Sequence, residues 1–368
     1  MKNDFSDSLK ILAGEIDKVI AGSTFPKQVK PAYLGRAMTS YPANGGKRLR
    51  PVIMLWSAAL AGGEVKKLLP AAAALEIFHN WTLVHDDIID DDDTRRGKPT
   101  AHIQLAGEVK TSPERQKKFG SDMAILAGDL MQGWAFELID QSDTTAEVKL
   151  KLAEELRQFG YIKLVSGEAV DVAMSYDSAE NITEAELFAM QSGKTGALLH
   201  YAARAGWMMG KGYAAAWDEP EAVALGEFGE YLALAFQMRD DYLGIFGKFE
   251  EFGKPIGSDL AEGKATVLLI HALKNLPEAE KKLLQGYLYR ASYTATDLEQ
   301  VRKIFVQAGS VKYLSDLIAD KTAQAQNALA QLPDAAERSY LSELANYLIM
   351  FSILLKNIVP FELKQYNT

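Results

Sequence analysis

Cysteine is absent from the 368 residues. That excludes a disulfide framework, thiolate zinc or iron–sulfur ligation and a cysteine nucleophile. Histidine is scarce, and the five present (His79, His85, His102, His200 and His271) include no pair at zinc-ligand spacing. No apolar run is long enough to cross a bilayer. The most apolar late stretch, Tyr347 to Leu355, stops at Lys356 and reads as a buried helix or a subunit contact. Asp4, Asp7, Glu15 and Asp17 interrupt the first twenty positions, which does not fit a secretory signal. A cytoplasmic location without an integral membrane segment is the expectation. Excess positive charge is also missing: 40 Lys and Arg stand against 49 Asp and Glu, so nucleic acid is not an expected partner.

Apolar residues make up 48% and charged residues 24%, the composition of a folded globular chain. Their spacing is helical. Pro70 to Ile89, Glu154 to Val172, Ala185 to Met209, Ala222 to Phe246 and Thr266 to Leu273 read as helices, while β-type alternation is hard to find. Breakers fall between them, at Gly62-Gly63, Gly97 to Pro99, Ser112-Pro113, Gly210 to Gly212 and Gly253 to Gly257. With no linker, repeat or shift in composition, one all-α domain over residues 1–368 is the economical reading.

Two segments imitate nucleotide-binding motifs. Gly257 to Lys264 resembles a P-loop, but five residues separate its glycines, Ala265 follows the lysine, and no strand pattern precedes it. Gly210-Lys211-Gly212 joins two helical segments and lacks the strand that a dinucleotide fingerprint needs.

The segment that asks for chemistry is His85 to Gly97, with six aspartates between Asp86 and Asp93 followed by Arg95-Arg96. Asp86 and Asp90, four apart, share a helical face. They fall at the C-terminal end of an apolar helix, where the helix dipole disfavours anions. Folding gains nothing from this, and a divalent cation would compensate. A solvated acidic loop accounts for Asp91 to Asp93 but not for carboxylates abutting an apolar helix. Asp240-Asp241 repeats the arrangement near the end of a second apolar helix. Hard oxygen donors without thiolates or paired imidazoles suit magnesium, which takes one or two protein carboxylates per ion. Cations gather in Gly45 to Pro51, at Arg95-Arg96, at Lys194-Thr195 beside Gly196, and at Lys254 and Lys264 flanking Asp259. Each alone reads as a solvated turn. Together with two acidic clusters they suggest two phosphate-bearing substrates, one a diphosphate clamped by magnesium.

Six segments in order carry a resemblance: GGKRLRP at 45–51, LVHDDIIDDDDTRRGKPT at 83–100, AILAGD at 124–129, GKTGAL at 193–198, FQMRDDYLGIFG at 236–247 and GKPIGSDLAEGKAT at 253–266. The chain resembles the trans-isoprenyl diphosphate synthases (polyprenyl synthetases). The resemblance implies an all-helical bundle with a deep central cavity, usually a homodimer. It implies that isopentenyl diphosphate is condensed head to tail with an allylic diphosphate, with three magnesium ions per site. Asp86 and Asp90 then ligate magnesium with Asp87 in support, and Asp240 takes the third ion with Asp241 behind it. Arg95, Lys194 and Lys254 hold the allylic diphosphate, with Lys264 near its rim. Lys47, Arg50, His79 and Arg96 hold the diphosphate of isopentenyl diphosphate. Thr195 and Gln237 lie near the reacting carbons. The second motif usually ends in aspartate, where this chain has Gly244.

Trp81, Phe78 and Thr82, before Asp86, are the expected chain-length residues. A large Trp81 in the cavity wall implies a short product, farnesyl or geranylgeranyl diphosphate. A longer-chain synthase is the alternative. A class I terpene cyclase would not need Lys47, Arg50 and Arg96. A degenerate regulatory subunit would lack aspartates of one motif, and a calcium-binding or scaffold helical protein explains least.

Overall fold

A computed structural model describes residues 4–247 and 256–349. Lys254 therefore lies outside the described residues, as does the stretch beyond Ile349, which includes most of the late apolar run. Its described part closes a helix, with Leu348 buried and Tyr347 half-exposed. Among the described residues the chain is helical apart from one two-residue hairpin. They cluster into two compact units. The first comprises residues 1–156, 202–223 and 335–338, and the second residues 157–201, 224–334 and 339 onward.

In the first unit, α1 (Asp4–Gly22), α3 (Ala32–Ala43), α4 (Leu49–Leu60), α5 (Val65–Ile89), α6 (Ala101–Ala106) and α7 (Pro113–Asp140) pack around Trp56, Phe78 and Trp134, all fully buried; the four-residue helix α2 is Phe25–Gln28. Helix α5 is apolar on every side and correspondingly buried over most of its length. It begins at Val65, five residues before the expected start at Pro70, because the strong helix formers Lys66 to Leu69 precede the proline. It ends where expected. Asp90 is its C-cap, Asp91 takes the left-handed conformation (φ 54°), and the Asp92 amide donates to the Asp87 carbonyl at 3.0 Å. This closes the last turn in a Schellman-type bond, with aspartate in the usual place of glycine. Lys117 of α7 grips the Asp91 carboxylate at 2.7 Å.

The hairpin follows directly. β1 (Thr94–Arg95) pairs antiparallel with β2 (Lys98–Pro99). Arg96 and Gly97 form the two-residue turn, with φ of 53° and 72°.

The second unit holds α9 (Ser166–Ser175), α10 (Glu184–Gln191) and most of α12 (Pro220–Phe246) around Tyr201, Phe228 and Phe305. Helix α8 (Ala146–Leu156) belongs to the first unit. The expected helix from Glu154 to Val172 is instead the end of α8, a π-helical stretch Arg157–Val165 and then α9. The expected helix from Ala185 to Met209 is likewise interrupted at Lys194 by a π-helical turn, Ser192–Gly196, between α10 and α11 (Ala197–Lys211). Two glycines explain the place of these wide turns. A Cβ on Gly167 would lie 2.4 Å from the Lys194 nitrogen, and one on Gly193 would lie 2.9 Å from the Lys163 carbonyl. The backbones approach so closely that only glycine fits. A polar motif is thereby carried inside the packed unit without ending the helix, as π-bulges at functional sites do.

Candidate active site

Loop 44–48 of the first unit is built around Arg48. Its side chain is buried, its backbone left-handed, and its guanidinium pairs with Glu76 of α5 at 2.9 Å and Asp17 of α1 at 2.7 Å. It also donates to the Gly45 and Pro42 carbonyls. Asn80 secures Glu76 in turn, at 3.1 Å. Arg48 is a scaffold for its neighbours, the exposed Lys47 and the half-buried Arg50.

Arg50 lies 3.0 Å from His79 Nε2. Burial, together with Arg50, Arg95, Arg96 and Arg48, holds the His79 pKa well below the usual imidazole value. The ring is therefore neutral near pH 7, accepts from Arg50 at Nε2, and carries its proton on Nδ1. Burial also pulls the Arg50 and Arg96 pKa values down. Glu76 opposes this at both positions, while Arg48 and Arg95 add to the depression at Arg96. Arg96 donates to the Gly45 carbonyl, which joins the hairpin turn to the loop. Lys47, Arg50, His79 and Arg96 thus come from loop 44–48, the start of α4, α5 and the hairpin turn of one unit, where positive charge is in excess. An anion would relieve it.

Asp86 and Asp90 stand on the last turn of α5, with the Asp90 amide bonded to the Asp86 carbonyl at 2.8 Å. Asp86 is half-buried and Asp90 exposed. Asp87, expected in support of the metal ligands, has contacts of its own. It is fully buried, and its carboxylate is taken by the Tyr41 hydroxyl and by Arg95, whose Nε and Nη2 lie at 2.7 and 2.5 Å. The reason is geometric: one residue along a helix is a rotation of about 100°, which turns Asp87 into the core while Asp86 and Asp90 stay outside.

Trp81 and Phe78 meet edge to face at 4.8 Å, and Trp81 meets His85 at 5.7 Å. Both Trp81 and Phe78 are buried. Trp81 and His85 meet α7 at Gly128, where a Cβ would fall 2.2 Å from His85 Nε2 and 3.1 Å from Trp81 Cδ1. Thr82 turns its hydroxyl back to the His79 carbonyl at 2.8 Å.

In the second unit Lys194 sits on the π-helical turn and pairs with Asp171 at 2.6 Å and Glu168 at 2.8 Å. Burial opposes its charge, but Asp171 and Glu168 outweigh that and Lys264, and its pKa is raised. An ammonium has three N–H donors, so a third remains for a ligand. Thr195 donates to Gln237 at 3.2 Å, and Gln237 donates to Asp241 at 3.0 Å. Lys194, Thr195, Gln237 and Lys264 line one small cleft with Asp171 and Gln191. Lys264 stays charged: burial works against it, but Asp259, Asp171 and Asp241 more than compensate. The carbonyl of Gly244, where the motif loses its last aspartate, accepts the Gly257 amide at 2.9 Å and so anchors the loop that leads to Asp259 and Lys264.

Asp240 is half-buried and Asp241 buried. Burial, then Asp259, pushes the Asp241 pKa up to about 7, against Lys264 and Gln237. Among the described residues no three potential ligands already converge on one metal position. The donor set nevertheless fits magnesium. It offers carboxylate oxygens in ones and twos and a buried acid whose charge is poorly compensated, and magnesium fills its remaining positions with water or phosphate oxygen.

Asp241 gives a prediction with a definite sign. In the metal-free protein its folded pKa, about 7, lies above the unfolded value of about 3.9. This contribution to stability is fully present below pH ~4, declines as pH rises, and is gone above pH ~7. Magnesium should therefore raise the unfolding temperature more at pH 8 than at pH 5.5. Equal increments in a thermal melt would contradict it.

Glu168, Asp171, Tyr41 and Gln191 carry no signal in the sequence. The first two sit in an ordinary helical context, and only their distance to Lys194 in the folded chain reveals them.

Residues 31–305 match the polyprenyl synthetase family. The short chain isoprenyl diphosphate synthase of Methanothermobacter thermautotrophicus is 33% identical over 321 residues, covering 87% of this chain and 91% of that protein. The geranylgeranyl diphosphate synthase of Saccharolobus solfataricus is 36% identical over 310 residues, 84% of this chain and 86% of its own. Among solved structures, the geranylgeranyl pyrophosphate synthase of Corynebacterium glutamicum, complexed with isoprenyl diphosphate and magnesium, superposes with a TM-score of 0.81 at 25% identity, covering 94% of this chain and 99% of that one. With this match and its aspartate and cation motifs, the chain belongs to the polyprenyl synthetase family and is a trans-prenyltransferase of the isoprenoid synthase fold.

Proposed function

We propose that the whole chain acts as one polyprenyl synthetase domain that joins isopentenyl diphosphate to an allylic diphosphate and releases a short all-trans product, farnesyl or geranylgeranyl diphosphate. The observation that carries this reading is the presence of two separate cation sets. One is Lys47, Arg50, neutral His79 and Arg96. The other is Lys194 and Lys264, set among carboxylates. One diphosphate does not need both. The first set takes the diphosphate of isopentenyl diphosphate. Arg95, Lys194 and Lys254 take the allylic diphosphate, with Lys264 near its rim. Asp86, Asp90 and Asp240 would hold magnesium, three ions in all, with Asp241 behind Asp240.

When bound, magnesium neutralises the charge that builds on the departing diphosphate. Arg95, Lys194 and Lys264 stabilise the same charge as the allylic carbon–oxygen bond breaks; within its own unit Arg95 is held by Asp87, and Lys194 by Asp171 and Glu168. The cation set around Arg50 holds isopentenyl diphosphate so that its double bond attacks the allylic cation, forming the new carbon–carbon bond. Thr195 and Gln237, tied to each other and to Asp241, present oxygen dipoles toward the cation. The released diphosphate takes the proton lost in the final step, so no side chain need serve as base. Apolar walls keep water from the cation. A homodimer in the cytoplasm is the working form this reading expects. Among the described residues no helix is long and apolar enough to cross a membrane.

Trp81, braced by Phe78, is the stop for the growing chain, and the packing of both rings on α5 supports this. Trp81→Ala should lengthen the product by at least one isoprene unit, read by reversed-phase chromatography, with a similar rate for the first condensation. Removing this aromatic costs about 3–5 kcal/mol of stability, so the variant's melting curve is the control. An unchanged product from a folded, active variant would place the stop elsewhere.

A further inference from the structure

Arg95 sticks out of the hairpin, and a long side chain on a two-residue strand has no packing of its own to fix its head. The structure supplies a brace. Asp87 holds the Arg95 guanidinium through Nε and Nη2 from a fully buried position. Behind Asp87 stands Tyr41 of α3, also buried, whose hydroxyl donates to the second carboxylate oxygen. The same hydroxyl accepts the Ala101 amide at 3.3 Å, one of the free N–H groups at the start of α6. Three segments are thereby pinned to one oxygen: α3, the end of α5 and the helix that follows the hairpin. Tyr41, Arg95 and Arg96 line a single small cleft with Asn44, Leu83 and Pro99. The Arg95 side chain remains one-quarter exposed there, so part of its guanidinium is open to a ligand.

We infer that Tyr41 is a positioning residue that, through Asp87, fixes the Arg95 guanidinium for the diphosphate of the allylic substrate. This rests on the assignment of Arg95 under the proposed function. The chemistry requires the tyrosine hydroxyl itself. A buried carboxylate carrying one arginine has an oxygen left over, and without a donor it would swivel toward another partner. With Tyr41 donating, the carboxylate plane is set, and the guanidinium fork follows it. Loss of one hydrogen bond to a charged group corresponds to about tenfold.

The test is steady-state kinetics on the full chain with magnesium, varying each substrate in turn, for Tyr41→Phe, Arg95→Ala and the double variant. Tyr41→Phe should raise the KM for the allylic diphosphate about tenfold and leave the KM for isopentenyl diphosphate and the magnesium concentration at half-activity unchanged. In the double variant Tyr41→Phe should add nothing to the loss in allylic kcat/KM caused by Arg95→Ala, because a residue acting through another has no effect once that other is gone. Additive losses, or equal rises in both KM values, would overturn the inference by showing a merely structural tyrosine. Should Tyr41→Phe fail to fold, Asp87→Asn carries the same test: it should show the allylic KM rise at unchanged magnesium dependence, and a folded Asp87→Asn with a normal allylic KM overturns the proposal. A wild-type chain that turned over neither substrate would instead refute the proposed function.

Discussion

Asp86→Ala and Asp240→Ala should each lower turnover by about 10²-fold or more, the usual loss when one group stabilising developing charge is removed. Both carboxylates sit where another negative charge is disfavoured. Asp86 sits at the C-terminal end of α5, where the helix dipole disfavours an anion. Asp240 abuts Asp241, whose proton is already held up to about pH 7 by burial, Asp259 and Asp240 itself. Each carboxylate also has a cation near it, Arg95 for Asp86 and Arg239 at 3.9 Å for Asp240, so its removal trades repulsion against attraction, and the far-ultraviolet circular dichroism and melting temperature of the magnesium-free variants should stay close to wild type. The separation of the two readouts makes the test: activity falls while stability does not. A variant that lost activity only because it unfolded, or one that kept near-normal turnover, would remove these aspartates from the reaction.

Arg48→Ala should have the opposite signature, with a loss of about 3–5 kcal/mol of stability. Arg48 is buried against Glu76, which is itself buried and held by Asn80. Truncation leaves the Glu76 carboxylate in the core with its charge uncompensated, and it frees the Gly45 and Pro42 carbonyls that shape the loop. Denaturant melts would measure the loss. Arg48→Ala with Glu76→Gln should recover part of it, since the stranded charge is gone. A single variant as stable as wild type would mean that the loop is held by its backbone alone. Arg48 lies in the same cation-rich segment as Lys47 and Arg50, yet it is buried in ion pairs with Glu76 and Asp17, whereas Lys47 is exposed and Arg50 lies against His79.

The helical periodicity was legible in the sequence because apolar residues recur from Pro70 to Ile89 with no further glycine or proline between them. The aspartates were legible because they contradict their surroundings: an anion at the end of an apolar helix needs a reason. The two π-helical turns were not legible. A π-turn differs from an α-turn by one residue of hydrogen-bond register, and no residue type marks that shift. Only the glycines at 167 and 193 hint at it, and their meaning depends on the distant backbone each one meets. Asp87 was read with its neighbours because spacing alone cannot say which of two adjacent carboxylates turns inward. The Tyr41 and Arg95 contacts settle that, and Tyr41 is separated from Asp87 by 46 positions in the chain. Glu168 and Asp171 were missed for the same reason. Acidic residues on a helix are ordinary until a lysine from another segment is seen to lie on them.

The central claim, metal-dependent condensation of two diphosphates, is tested most directly by supplying the purified chain with labelled isopentenyl diphosphate and an allylic diphosphate primer, with magnesium and then with excess chelator. The account predicts a labelled prenyl diphosphate, longer than the primer, that forms only when both substrates and the metal are present. Product undiminished by chelator, or no product with magnesium and any allylic primer, would contradict it.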